Sequence, residues 1–218
     1  MNPPTYSRDS GATPMRLAPT QFPTCFDPDF NLADGTAVTI RPIRPDDEPL
    51  VIRFHEGLSE RTVYLRYFYY FGLDRRTEHK RLRRNCLFDC DSEMAFVAER
   101  FNSKDWEIVG VGRLSRSASA QAAEVSLVVT DAYQGCGLGS TLVSRLVTFA
   151  RELSLHHLTA SVLRENSPMR RIFEKVGFEF EPSGTCEVLE ARLLLVPPPC
   201  HQHLSPREGG LTSVPLIY

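Results

Sequence analysis

The chemistry of this chain is concentrated in one segment, Val128-Val129-Thr130-Asp131-Ala132-Tyr133-Gln134-Gly135-Cys136-Gly137-Leu138-Gly139-Ser140. A β-branched run leads into a turn with glycines at alternate positions, and the turn opens into an amphipathic stretch. Glycines without a Cβ let a backbone come close to a ligand. Their N–H groups and a helix N-terminus together favour an anion, most naturally a phosphate or pyrophosphate. The segment is no Walker loop, because Gly139-Ser140-Thr141 lacks the lysine. It is no dinucleotide fingerprint either, since the spacing is Gly-x-Gly-x-Gly and three strands are expected before it. On the loop alone, an anion site and a ligand-free turn both remain open.

The elements that must position this loop can be read from periodicity. Ala37 to Ile40 is β-branched after an Asp34-Gly35 turn and predicts a strand. Pro45-Asp46-Asp47-Glu48 opens a helix, with carboxylates in its first turn and Leu50, Phe54 and Leu58 four apart. A second helix is expected from Ser59 and a third over Arg75 to Arg84. Met94 to Ala98 and Trp106 to Leu114 read as a hairpin around Asn102-Ser103-Lys104-Asp105. Glu124 to Thr130 is a strand, and Leu138 to Leu153 is a helix with Leu138, Leu142, Leu146 and Phe149 on one stripe. His157 to Leu163 is a strand, Met169 to Val176 a helix ended by Gly177, and Phe178 to Phe180 and Val188 to Leu195 the last strands. The fold class is therefore α/β with a mixed sheet.

Two segments acting together point to a family. Gln134-x-x-Gly137-x-Gly139 after a strand resembles the acyl-CoA loop of the GCN5-related N-acetyltransferases (GNAT). Asn166-Ser167-Pro168-Met169, leading to a helix that ends at Gly177-Phe178, resembles that family's Asn and following helix. Val38 to Asp47 and Leu58 to Phe68 are similar to the GNAT domain of bacterial protein lysine acetyltransferases. The resemblance covers roughly Gly35 to Leu195. It implies a mostly antiparallel mixed sheet with a central splayed parallel strand pair and flanking helices.

The resemblance also implies roles. Acetyl-CoA would be the co-substrate, and no metal is implied. Leu127, Val128 and Val129 would line the pantetheine arm, with backbone groups of Leu127 and Val129 bonding it. The loop from Gln134 would carry the pyrophosphate on the N–H groups of Gly135, Cys136, Gly137, Leu138, Gly139 and Ser140. Asn166 would bond the pantetheine. Glu124, which interrupts the small apolar run Ala122-Ala123-x-Val125, matches the general base; burial would suit it to that task. The position matching a frequent family Tyr acid is Phe173, which has no hydroxyl. The implied reaction is direct acetyl transfer to an amine, with a protein lysine as acceptor, on a partner such as an acyl-CoA synthetase. A small-molecule amine and a non-catalytic acyl-CoA-binding role are the alternatives.

Composition bounds the rest. The chain has 218 residues, 25 basic against 27 acidic, a net charge of −2, so no generally basic nucleic-acid surface is expected. No apolar run approaches the roughly 20 residues of a membrane span, and the Met1-Asn2-Pro3-Pro4 start shows no secretory signal. A cytoplasmic protein is the expectation. The six cysteines show no Cys-x-x-Cys and are expected reduced; Cys136 contributes backbone only, and Cys200-His201-Gln202-His203 is not expected to hold a metal. Residues 1–33 are rich in Pro and lack periodicity, predicting a disordered or loosely draped arm; 34–196 is the domain and 197–218 a Pro-rich tail. Arg75 to Arg84 carries six basic residues and one acidic, a solvated face, an acidic-protein docking patch or a contact to the CoA 3′-phosphate. Oligomeric state is left open.

Overall fold

The computed structural model describes residues 29–86, 93–116, 121–182, 184 and 186–195. Most of the expected arm, the whole tail, Cys25, Cys90, Cys200, His201 and His203 lie outside these residues.

The strands are β1 (Asp29–Asn31), β2 (Ala37–Pro42), β3 (Glu93–Phe101), β4 (Trp106–Arg116), β5 (Ala122–Val129), β6 (His157–Leu163), β7 (Glu179–Pro182) and β8 (Val188–Leu194). They form one eight-stranded sheet in the order β1-β2-β3-β4-β5-β6-β8-β7. Only β5 and β6 run parallel. The strand β1 lies N-terminal to the boundary expected from composition; its three residues pair with β2 from Asp29↔Thr39 to Asn31↔Ala37.

Side chains alternate across the pleat and bury two cores. On one face, Phe96, Ala98, Val125, Leu127 and Val129 pack with the helix α5 (Leu138–Glu152), joined by α6 (Ser167–Val176). On the other, Val97, Val111 and Val128 pack beneath α1 (Glu48–Glu56), α2 (Glu60–Tyr67) and α4 (His79–Cys86).

The expected third helix is two. A short α3 (Leu73–Arg76) ends at Thr77, and α4 starts afresh at His79. Arg76 explains the break: its side chain is buried and its Nη1 donates to the His55 carbonyl at 2.8 Å, pulling that turn onto α1. Arg76 is thus not part of a solvated basic face.

A buried ion group fixes the first crossover. Arg41 on β2 bonds Asp47 at 2.6 and 2.7 Å and Glu99 on β3 at 2.5 Å. Burial opposes the Arg41 charge, but the bonds to Asp47 and Glu99 outweigh it and raise its pKa. Asp47 also accepts from Arg44 N–H at 2.7 Å, which holds the single 3₁₀ turn before α1.

Candidate active site

The parallel ladder between β5 and β6 is short. It pairs Ala122↔His157, Ala123↔Leu158 and Glu124↔Thr159 and then stops, although both strands continue to Val129 and Leu163. The strands therefore splay beyond Glu124. The Gln121 carbonyl accepts the His157 N–H, and the Thr130 N–H reaches the Val109 carbonyl on β4's side. Backbone groups alternate along a strand, so odd-numbered β5 residues aim theirs at β6 and even-numbered ones at β4. Leu127 and Val129 thus present backbone groups to the gap with no β6 partner in the ladder.

A cavity of about 190 Å³ fills the gap. Leu127 and Ser161 line its two walls; Asn166, Met169 and Phe173 of the α6 region close it on one side and Leu65 to Phe68 on the other. Asn166 is buried, and its Oδ1 caps α6 by accepting the Met169 N–H at 3.2 Å. Its Nδ2 has no acceptor among the described residues and is the donor left for a ligand. Phe173 is buried against Phe178 with ring centroids 4.8 Å apart and borders the cavity without a hydroxyl.

The glycine-rich loop sits at the end of β5. Gly135 and Gly137 have φ of 74° and 91°, the left-handed region that favours glycine. The first bond of α5 runs from the Thr141 N–H to the Gly137 carbonyl, and no side chain caps the helix. The N–H groups of Leu138, Gly139 and Ser140 therefore have no carbonyl in their own helix and can hold an anion. At Gly139 a Cβ would stand 2.8 Å from Ile172 Cδ1, so the missing side chain also serves the packing of α5 on α6, while the Gly139 N–H stays open to an anion. Cys136 contributes its carbonyl to the Ala33 N–H at 3.4 Å, which ties the loop to the β1–β2 turn.

Gln134 was expected at the cofactor, and its amide is already engaged within the protein. Nε2 donates to the Val129 carbonyl at 3.0 Å and to Thr62 Oγ1 at 3.1 Å. Asp131 makes a parallel tie. Its carboxylate accepts from Ser59 Oγ at 2.7 Å, Ser59 N–H at 3.0 Å and Thr62 Oγ1 at 2.8 Å. Burial pushes the Asp131 pKa up, but these bonds outweigh it and hold the carboxyl below its ordinary value. Together the two side chains lash the loop to the start of α2. Spacing hid these ties, because each joins residues about seventy positions apart.

A second cavity, of about 210 Å³, lies on the α1–α4 face of the sheet. It shares Arg66, Tyr67, Glu124 and Ser126 with the first. Glu124 stands exposed where the two meet, without the burial expected for a general base. Arg66 Nη2 donates to Ser126 Oγ at 2.8 Å, and its guanidinium lies 5.1 Å from the Tyr67 ring. Burial lowers the Arg66 pKa from its ordinary value, while the Tyr67 and Glu124 sites oppose that shift. Arg66 is not singled out for chemistry by the sequence, whereas Tyr67 belongs to the aromatic run Tyr64 to Phe71, part of which is expected to line an acceptor channel.

Among the described residues, no three His, Cys, Asp or Glu side chains gather as metal ligands. No described helix is long and apolar enough to cross a membrane.

Comparisons with known proteins agree with this geometry. A family model described as the acetyltransferase (GNAT) domain matches residues 37–179. An acetyltransferase of Pseudomonas aeruginosa is 27% identical over 161 residues, 73% of this chain and 85% of its own length. Acetyltransferase Pat of Mycolicibacterium smegmatis is 30% identical over 139 residues, 63% of this chain but only 40% of Pat. The crystal structure of the GNAT domain of S. lividans PAT superposes with a TM-score of 0.70 at 27% identity, covering 80% of this chain and 100% of that one. The structure of yncA from Salmonella typhimurium with its cofactor acetyl-CoA shares the fold at a TM-score of 0.54 and 20% identity, over 78% of this chain and 97% of that one. A parallel pair splayed at Glu124, a glycine turn feeding α5 and a match over most of the domain lead to one conclusion: the chain belongs to the GNAT family of N-acetyltransferases.

Proposed function

We propose that this chain is a cytoplasmic enzyme that transfers an acetyl group from acetyl-CoA directly to the side-chain amine of a protein lysine. The single observation that carries this reading is the junction at Glu124, where the slot between the splayed strands opens into the second cavity. A thioester in the slot and an amine in the cavity would then meet beside a carboxylate.

The pantetheine arm lies in the slot, bonded by backbone groups of Leu127, by the Val129 N–H, whose own carbonyl Gln134 already takes, and by Asn166 Nδ2. The pyrophosphate rests on the N–H groups from Gly135 to Ser140. A backbone donor on the thioester oxygen stabilises the charge that develops there during attack. The amine nitrogen attacks the thioester carbon, Glu124 takes the amine proton through a water, and the carbon–sulfur bond breaks. The thiolate of CoA departs. A thiol pKa of roughly 8.5 makes it a competent leaving group without an acid at Phe173.

The second cavity carries arginines rather than an acidic lining: Arg66, Arg81 and Arg113 outnumber Glu93 and Glu124. The acidic pocket that would suit a small cationic amine is thus absent from this lining, and the reading takes as acceptor a lysine presented on a protein, with an acyl-CoA synthetase as a candidate partner. The test is mass-spectrometric. Cell extract is incubated with labelled acetyl-CoA and either the wild type or Glu124→Gln, then split into protein and small-molecule fractions. Label on particular lysines with the wild type alone supports the reading. Label only in the small-molecule fraction overturns the protein acceptor.

A further inference from the structure

The cavity beneath α1, α2 and α4 has more positive charge than its own acids balance. Arg113 Nη1 bonds Glu93 at 3.0 Å, so that pair is internally matched. Arg66 reaches only the neutral Ser126 hydroxyl and the Tyr67 ring. Arg81 lies over the Phe71 ring at 4.7 Å and the Tyr67 ring at 5.8 Å, and its buried Nε has no partner. Among the described residues, no carboxylate lies within ion-pair distance of Arg66 or Arg81. Among the described residues, the carboxylates lining this cavity are Glu93, already paired with Arg113, and Glu124, which the proposed chemistry needs for the incoming amine.

His55 reports the same imbalance. It lines this cavity, is buried, and its Nδ1 has no hydrogen-bond partner. Burial first, then the charges of Arg76, Arg81, Arg113 and Arg66, push its pKa down to about 4. A partly buried guanidinium without a counter-charge is costly to hold. Its planar fork matches a carboxylate with two parallel hydrogen bonds. The aromatic rings beneath Arg66 and Arg81 support the cations face-on and do not supply that counter-charge.

We infer that Arg66 and Arg81 form an anion subsite in the acceptor cavity, which takes a carboxylate carried close to the amine that is acetylated. The inference rests on the acetyltransfer reading and names its acceptor class: a lysine with an acidic neighbour. The carboxylate comes either from an Asp or Glu flanking the lysine or from the α-carboxylate of a free amino acid. In either case the two guanidinium groups take the anion, and Glu124 stays available to the ammonium.

The test compares capped peptides that differ only in Asp or Asn beside the lysine, with free lysine as a further acceptor. The wild type is expected to favour the Asp peptide by about tenfold or more in kcat/KM, the scale of one charge-assisted hydrogen bond. In Arg81→Gln the Asp-to-Asn ratio is expected to fall toward one, with acetyl-CoA affinity confirming that the variant is folded. Preference for free lysine over the Asp peptide would assign the carboxylate to an amino acid and still support the subsite. Equal kcat/KM on the Asp and Asn peptides, with free lysine no better, would overturn it. A binding measurement separates this from failure of the acetyltransfer reading. With CoA filling the slot, glutarate is expected to bind the wild type and its amide, glutaramide, is not. If no lysine is acetylated but glutarate binds in an Arg81-dependent manner, the subsite stands without that reading; if glutarate and glutaramide behave alike, the subsite falls.

Discussion

Glu124 pairs with Thr159 on the last rung of the parallel ladder, and the next residue of β5 has no partner on β6. One position therefore marks both the end of the hydrogen-bonded sheet and the meeting of two cavities. The splay frees backbone groups that a continuous sheet would have consumed. An exposed carboxylate stands at the same position, where donor and acceptor would touch. The proposed base thus stands where the slot opens.

Gly137 offers a test of the loop. Its φ of 91° strains any L side chain, and nothing lies within 4 Å of a Cβ built there. Gly137→Val is expected to lose most acetyl-CoA-induced thermal stabilisation, while Gly137→Asn, which tolerates the left-handed region, keeps part of it. Thermal shifts with saturating acetyl-CoA measure both; equal shifts in the Val variant and the wild type would contradict an anion site in this loop.

The lashing of the loop through Asp131 predicts a separable effect. Asp131→Ala removes an acceptor for three hydrogen bonds from Ser59 and Thr62. Stability is expected to fall by about 1–3 kcal/mol in urea denaturation, because those donors lose their partner. Acetyl-CoA affinity is expected to fall as well, though Asp131 touches no proposed ligand atom. Calorimetric titration checks this; unchanged affinity would show that the loop holds its shape alone.

His55 predicts an acid sensitivity. Its folded pKa of about 4 lies below its ordinary value of 6.5, so the unfolded chain takes the proton first. The stability it contributes is complete above pH 6.5 and is lost as pH falls toward about 4, after which the two states are equally protonated. The loss is on the order of 3 kcal/mol. His55→Leu is expected to show a shallower fall in urea midpoint between pH 7 and pH 4.5. Parallel curves for wild type and variant would remove His55 as the cause.

Much of this architecture can be read from residue order. The strand His157–Leu163 and the helix beginning at Leu138 fall where periodicity places them. Local signals were strong there: alternation in one, an apolar stripe behind a glycine turn in the other. The strand Asp29–Asn31 escaped because three residues in a Pro-rich stretch show no period, and pairing with β2 decides it. The break before His79 escaped because it depends on Arg76 reaching the His55 carbonyl, a contact between helices. The site divides similarly. Loop glycines, Glu124 and Asn166 stand in motifs, and Arg81 in a basic stretch; Arg66 and His55 acquire meaning, and Arg81 its cavity, only when α1, α2 and α4 close over β4 and β5. Gly139 sits in the motif, yet its closest demand comes from Ile172 on another helix.

The most direct measurement is acetyl-CoA-dependent release of free thiol with a lysine peptide as acceptor, for the wild type and Glu124→Gln, together with acetyl-CoA affinity for each. A general base contributes typically about 10²–10⁴-fold. A fall of that size in kcat is expected for Glu124→Gln, with acetyl-CoA affinity retained. Wild-type turnover in Glu124→Gln would contradict it, because the junction of the two cavities would then hold a carboxylate that takes no proton.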